Sequence, residues 1–260
     1  MKSIFQNKDS REIYFYLFFL FVLFFLIFNY SFQDGIPTCR HYMMNIYLYL
    51  GLALTIIGML CYLMEFHNIN INMMTSFLSF LLTLIFIFII HYVSPMKNSF
   101  INHICWLILL IGFSIMIYPV VSLPTIQPYM NQTILIVIVI FLFMTWITYL
   151  KPSFFESTYS SMMTGLMIAL VSIIIIEIVN LIYKSITGNF EYTMFNKGIS
   201  YIVVIIFSLL VSYDTTRLKM KSKNCKETNI MNYPNYPKES LGLILDILNL
   251  FLRILSLQKN

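Results

Sequence analysis

Two aspartates lie inside apolar segments near the carboxyl end of the chain. Asp214 stands at the end of the run GISYIVVIIFSLLVSYD, and Asp246 stands near the start of LGLILDILNLFLRILSL. A carboxylate in hydrocarbon costs roughly 2.5–3.5 kcal/mol on insertion scales, so it usually faces a partner or a water-filled cavity. Two such groups in consecutive apolar segments call for a joint explanation.

Helix geometry would bring these two carboxyls to one depth. If the first helix continues to about Ser222 and the second begins at about Ser240, Asp214 lies roughly 12 Å and Asp246 roughly 9 Å from those ends. Like charges held close in a medium of low dielectric do not both ionise easily, so such a pair tends to share a proton and to titrate as a unit. The residues predict a proton-sensitive latch or a cation site.

The composition is that of a polytopic membrane protein. The chain has 260 residues, of which 59% are hydrophobic and only 10% are charged, so the lipid bilayer is its expected surroundings. The net charge is +5, and the basic residues gather between Arg217 and Lys238 without a nucleic-acid motif. We interpret them as a solvated membrane-side face and expect no nucleic-acid partner.

The chain contains eight apolar runs, each close to the roughly twenty residues that cross a bilayer as a helix. They follow a polar segment, 1–12, and lie at 13–32, 43–64, 75–93, 103–121, 133–150, 160–183, 198–213 and 241–257. The last run is short, so it either crosses or re-enters. Before it, Pro234 and Pro237 are expected to end any continuing helix, and Ser240 is expected to cap the final one.

The loops predict an orientation. Basic residues are in excess on the side opposite the amino terminus, where Arg40, Lys97, Lys151 and the basic loop 217–239 lie. By the positive-inside rule this side faces the cytoplasm or a matrix, and the amino terminus lies outside.

Three further residues inside apolar runs are candidate accessory polar groups. Glu177 lies roughly 9 Å from its helix end, in the leaflet opposite the aspartates, and Asn180 follows one turn later. Glu177 either marks the other mouth of a pathway, pairs with a neighbouring subunit or has no transport role. Arg253 lies roughly 10 Å from Asp246 along the helix, so we expect it to extend to the headgroups rather than to pair with that aspartate.

The sequence offers no catalytic arrangement. It has no Gly-rich phosphate loop, no Ser nucleophile elbow and no pair of histidines at helical spacing. Its four cysteines are scattered without a CxxC pair and are interpreted as isolated thiols. We therefore expect a protein that is not an enzyme.

Residue usage indicates an unusual genome. Only two alanines occur, Ala53 and Ala169, whereas Phe, Tyr and Met number 24, 18 and 17. Because alanine is the best helix former, its scarcity points to an AT-rich genome rather than to a physical optimum. This bias predicts a gene in an organelle or in a reduced endosymbiont.

Both carboxy-terminal segments resemble a known family. SYDTTRL is similar to the Asp-Thr-Gln end of the sixth core helix in the Bax inhibitor-1 (TMBIM) family, and LDILNLFLRIL resembles its final helix. The resemblance implies an all-α membrane bundle of seven helices, here residues 43–257, with the last helix at its centre. The segment 13–32 would then be an extra transmembrane helix, as in the mitochondrial branch. Together with the residue usage, this resemblance implies an organelle-encoded protein of the mitochondrial inner membrane, with the inner membrane of a bacterial endosymbiont as the alternative.

The resemblance also implies an activity. In members with an assigned function, it is a pH-sensitive leak of calcium or another cation, latched by two aspartates that correspond to Asp214 and Asp246. Calcium at these residues would be the only metal, and no other cofactor is implied. Thr216 replaces the family's usual Gln, and segment 75–93 lacks the arginine that pairs with the aspartates in some members.

A second function class is an accessory structural subunit of a respiratory-chain complex in the mitochondrial inner membrane. It is motivated by the organelle-like composition, by the missing arginine and by the aromatic-rich helices.

Overall fold

The computed structural model describes residues 11–187, 194–228 and 232–258. Its described residues form eight long helices, and all eight are long and apolar enough to cross a membrane. The helices are α1 (Arg11–Ser31), α2 (Tyr42–Phe66), α3 (Met73–Tyr92), α4 (Ser99–Val121), α5 (Met130–Leu150), α6 (Pro152–Thr187), α7 (Met194–Asn224) and α8 (Tyr236–Gln258). The predicted all-α, polytopic fold is confirmed.

Every apolar run of the sequence became a helix, but several helices extend into polar sequence. In α6, 36 residues are helical in place of the apolar run 160–183, and in α7, 31 residues are helical in place of the apolar run 198–213. Between α1 and α2, the chain also forms a short hairpin of β1 (Phe32–Gln33) and β2 (Ile36–Pro37), which the sequence did not predict.

The start of α8 differs from its prediction. The helix begins at Tyr236 rather than Ser240, and the Asn235 side chain accepts a hydrogen bond from the Lys238 amide at 3.2 Å. Asn235 therefore acts as the cap in place of Ser240. Pro237 falls in the first turn, where a helix does not need its amide hydrogen. The resulting 23-residue helix is long enough to cross the bilayer.

The chain divides into two compact units. The first contains α1 to α4, the hairpin and residues 222–241. Within it, α1 packs on α2, and α4 packs on α2 and α3. At the contact of α3 with α4, the Ser79 hydroxyl donates to the Gly112 carbonyl at 3.2 Å, and any side chain at Gly112 would overlap Thr83. A small residue therefore lets these two helices approach closely.

Tyr236 anchors the start of α8 inside the first unit. Its side chain is 1% exposed, and its hydroxyl accepts from the Asn45 amide at 3.0 Å and donates to the Thr38 carbonyl. Its ring stacks on Tyr49, whose hydroxyl lies 2.7 Å from His103 Nε2. The buried hydroxyl is thus fully partnered, as burial requires.

A disulfide also joins two distant parts of the first unit. Cys39 and Cys225, which are 186 residues apart, are bonded, so the prediction that all four cysteines are isolated thiols is wrong for these two. Beside the disulfide, the Glu227 carboxylate accepts from the Thr38 hydroxyl at 2.8 Å and from the Cys39 amide at 2.7 Å. The hydrogen bond from the Cys39 amide, followed by that from the Thr38 hydroxyl, lowers the pKa of Glu227.

The second unit contains α5, α6, α7 up to Lys221, and α8 from Gly242 onward. The Thr133 hydroxyl near the start of α5 donates to the Gln258 side chain at the end of α8, at 2.5 Å. Among the eight candidate spans, α8 has the largest buried share, 56%, whereas α6 has 11%. Such burial is what a helix with charged residues in its middle requires.

Candidate functional site

The two aspartates lie at matching positions on α7 and α8. Asp214 is ten residues before the end of α7, and Asp246 is ten residues after the start of α8. Each is therefore about 15 Å along its helix from the connecting loop, slightly deeper than predicted. Both are buried, with 7% and 5% of their surface exposed.

Ser212 and Tyr213, which directly precede Asp214, hold α7 against its neighbours in the second unit. The Ser212 hydroxyl donates to the Met144 carbonyl of α5 at 3.2 Å. The Tyr213 hydroxyl donates to that of Tyr159 on α6 at 2.8 Å, and the two rings stack with centroids 4.7 Å apart. Because Ser212 is bound to α5 and Tyr213 to α6, these contacts, rather than the Asp214 carboxylate, set the orientation of α7 about its own axis at this position.

Gly242 on α8 provides the space that Asp214 occupies. A Cβ atom at Gly242 would overlap Asp214 Oδ2 and would lie 3.0 Å from Arg217 Nη2. The close approach of the two helices at the carboxylate therefore depends on the missing side chain.

Arg217 supplies positive charge to the site. Its Nη2 lies 3.5 Å from Asp214 Oδ1, one turn along the same helix. The sequence predicted no evident counter-ion, because segment 75–93 has no arginine. That prediction is wrong: the arginine is on α7 itself, at the i, i+3 spacing at which helical side chains meet.

Asp246 completes the cluster from α8. Its carboxylate interacts electrostatically with Asp214 and with Arg217. Its Oδ2 is buried and accepts no hydrogen bond among the described residues. A buried carboxylate oxygen without a donor carries a large desolvation cost, which a proton or a bound cation relieves.

The charges of this cluster do not balance when both acids are ionised. Asp214, Asp246 and Arg217 then sum to one negative charge, whereas one added proton makes the cluster neutral. A low-dielectric surrounding strongly favours the neutral form or the binding of a cation. The arrangement can therefore exchange a proton for a cation.

A second charged pair lies in the same unit, on α6 and α8. Arg253 Nη1 lies 2.5 Å from Glu177 Oε1, and Nη2 lies 2.7 Å from Oε2. The expectation that Arg253 extends to the headgroups is wrong, because a bidentate partner is within reach on α6. Asn180, predicted beside Glu177, instead donates to the Asn196 side chain of α7 at 2.6 Å.

Comparison with known families gives one match. Residues 39–260 match the family model described as "Inhibitor of apoptosis-promoting Bax1". The match begins after α1 and includes Asp214, Arg217, Gly242 and Asp246. Comparison with curated proteins and comparison with solved structures return no match.

Proposed function

We propose, from the premise that this chain belongs to the Bax inhibitor family, that it passes calcium or another cation across its membrane in a pH-sensitive leak. The Asp214 and Asp246 carboxylates are its latch, and α8 is the helix whose packing the latch controls. We propose that this membrane is the mitochondrial inner membrane, as for the mitochondrial branch of the family. The alternative is the inner membrane of a bacterial endosymbiont.

The observation that carries this proposal is a pair of buried carboxylates with Arg217 beside them. Without a bound proton, Asp214 and Asp246 repel each other, and the cluster attracts a cation. With one proton bound, the cluster is neutral, and α8 packs against α7 without that repulsion. Acidification therefore changes both the affinity for cations and the packing of α8.

Arg217 acts in this mechanism as a tethered counter-ion. Its separation of 3.5 Å from Asp214 is longer than a good charge-assisted hydrogen bond. A cation that binds both carboxylates replaces the guanidinium at Asp214, and the arginine returns when the cation leaves. Because carboxylate oxygens are preferred ligands of calcium, the pair suits this ion.

The test is cation flux from liposomes that contain the purified protein, measured against pH with a calcium indicator. Asp246→Asn mimics the protonated acid, so its flux should stay at the level that the unchanged protein reaches at acid pH. Asp34→Asn is the matched control, since Asp34 is an exposed hairpin residue. If Asp246→Asn retains the full pH dependence, the latch is refuted.

A second candidate is the accessory subunit of a respiratory-chain complex. The observation that favours it is α1, which presents exposed phenylalanine side chains to its surroundings, among them Phe18, Phe21 and Phe28. Native gels of gently solubilised membranes test this function. Co-migration of nearly all the protein with a respiratory complex supports the subunit, and a free monomer refutes it.

A further inference from the structure

We propose that the Cys39–Cys225 disulfide is a site of thiol–disulfide exchange with a dithiol reductant, and that it acts as a redox-controlled clip on the α7–α8 loop. Neither cysteine belongs to the cluster of Asp214, Arg217 and Asp246. Cys225 is the first residue after α7, and Cys39 lies between the hairpin and α2.

The clip has a covalent part and a polar part that join the same two segments. The disulfide connects Cys39 to Cys225. Two residues farther along the loop, the Glu227 carboxylate accepts from the Thr38 hydroxyl and from the Cys39 amide, at 2.8 and 2.7 Å. Glu227 is exposed, so water competes for its two hydrogen bonds and their net contribution to stability is modest. The disulfide is therefore the main restraint on this end of the loop.

Exposure and charge favour exchange at these sulfurs. Cys39 and Cys225 are both partly exposed, so a reductant can reach them. Each is followed directly by an exposed basic residue, Arg40 in one case and Lys226 in the other. Positive charge stabilises the thiolate that leaves when a disulfide is attacked. The acidic neighbour, Glu227, is engaged by its two hydrogen-bond donors.

The basic loop gives the exchange a physiological context. Five lysines follow Arg217 in and around this loop, namely Lys219, Lys221, Lys223, Lys226 and Lys238. By the positive-inside rule they predict that this side of the membrane faces the cytoplasm or a matrix. Thiol pools keep such compartments reducing, and disulfides found there are usually transient and redox-sensing. A disulfide at the end of a basic loop is therefore expected to open and close.

The exchange balances in atoms and electrons. A thiolate of the dithiol attacks one sulfur of the disulfide, and the other cysteine leaves as a thiolate that takes up a proton. The second thiol of the dithiol then attacks the mixed disulfide and releases the remaining cysteine, which is also protonated. Two electrons pass to the protein, which gains two thiols, and the dithiol becomes a disulfide.

The first experiment measures the thiols of the full chain in liposomes. Samples treated with graded dithiothreitol are denatured in SDS and alkylated with a maleimide polymer, which shifts the protein on a gel. We expect Cys39 and Cys225 to be modified only after reduction. Cys39→Ser should make Cys225 reactive without reductant, whereas Cys61→Ser and Cys105→Ser, which replace the free cysteines, should leave the protection unchanged.

The second experiment measures hydrogen exchange at the Cys39 amide and at the Lys226 amide, which donates to the Asn232 carbonyl at 3.0 Å. Reduction should raise the exchange rate of both amides roughly tenfold, since it removes the main restraint. The wild-type titration needs no variant. Full alkylation of all four cysteines without reductant would overturn the proposal, as would exchange rates that do not change on reduction.

We also expect that opening the clip changes cation flux, an expectation that rests on the proposed function. A separate arm of the experiment measures this flux. Flux that stays constant while thiol reactivity and hydrogen exchange change would refute the coupling between clip and leak, and it would leave both the clip and the aspartate latch intact. Thiols that never pair would refute the clip and leave the aspartate latch untouched.

Discussion

Gly242 occupies the position on α8 at which a side chain would collide with the Asp214 carboxylate. Helix propensity alone favours alanine over glycine by roughly 1 kcal/mol. At this position that gain competes with steric overlap, so the packing around one carboxylate, rather than the backbone, decides the effect of a substitution.

Gly242→Ala should therefore destabilise the protein by about 1–3 kcal/mol, because the added methyl group overpacks the contact of α7 with α8. Thermal unfolding in detergent measures this effect. Gly165→Ala on α6 is the matched control, since nothing lies within 4 Å of its added Cβ, and it should be neutral or stabilising by about 0.5 kcal/mol. Equal unfolding temperatures for the two variants would contradict the close approach.

Glu227 predicts an acid-sensitive anchor of the loop. Its pKa is lowered by the Cys39 amide and the Thr38 hydroxyl, so its folded-state pKa lies below its unfolded value. A depressed carboxylate pKa adds stability that is present above the unfolded pKa and is lost as the pH falls through the folded pKa. Hydrogen exchange at the Cys39 amide, corrected for its intrinsic pH dependence, should rise as the pH falls through the lowered pKa of Glu227.

Glu227→Gln is the matched variant for this acid response. It keeps an acceptor oxygen but cannot be protonated in this range, so the rise in exchange at low pH should disappear. Persistence of the rise in Glu227→Gln would assign the acid response to another group.

The positions of the two acids were predictable, but the rest of their surroundings was not. A carboxylate inside an apolar sequence can be recognised as a candidate functional group because its burial in a membrane is costly. Arg217 was assigned to a solvated loop because it begins a basic cluster; its i, i+3 spacing from Asp214 was the available signal. Gly242 gives no signal in one sequence, since its role depends on what a neighbouring helix places beside it.

At the scale of helices, the ion pair of Glu177 with Arg253 joins α6 to α8. Its geometry is bidentate, which is the most specific arrangement for an arginine and a carboxylate. About a third of each side chain is exposed. The contribution of the ion pair to stability therefore depends on whether lipid or water surrounds this exposed part.

A double-mutant cycle measures this pair. Glu177→Gln, Arg253→Gln and the double variant should give a coupling free energy of about 1–3 kcal/mol in unfolding experiments. The exchanged pair, Glu177→Arg with Arg253→Glu, should recover part of the loss. Additive effects of the single substitutions would show that the two side chains do not interact in the membrane.

The helices were predictable in number and type, because each apolar run is long enough to cross a bilayer. Their ends were not, since hydropathy detects only the apolar part of a helix. Polar residues after Lys151 belong to α6, and polar residues after Tyr213 belong to α7, without changing that signal. At α8, a proline in the first turn was taken as a boundary, although the first turn is where a helix accepts it.

For the molecule as a whole, α1 stands apart from the family match, which covers residues 39–260. If the aspartate latch alone controls the leak, deletion of residues 1–31 should preserve the pH dependence of flux in liposomes. Under the subunit function, the same deletion should abolish co-migration with a respiratory complex on native gels. Loss of the pH dependence would make α1 part of the conducting fold.

The disulfide could not have been predicted from spacing. Four cysteines can be paired in three ways, and Cys39 and Cys225 are 186 residues apart. Only the fold, which brings the end of α7 to the segment before α2, identifies the pair.

The charges on α8 have a consequence for how the protein is made. Taken alone, Asp246 and Arg253 would cost this helix roughly 5–7 kcal/mol on entering lipid, whereas Glu177 and Arg217 supply opposite charges on helices that leave the ribosome earlier. Insertion of the final span should therefore wait for α6 and α7, so that biogenesis ends with a docking step rather than with independent partitioning. In a nascent chain that lacks Glu177, the last segment should remain at the membrane surface, where quality-control proteases can reach it.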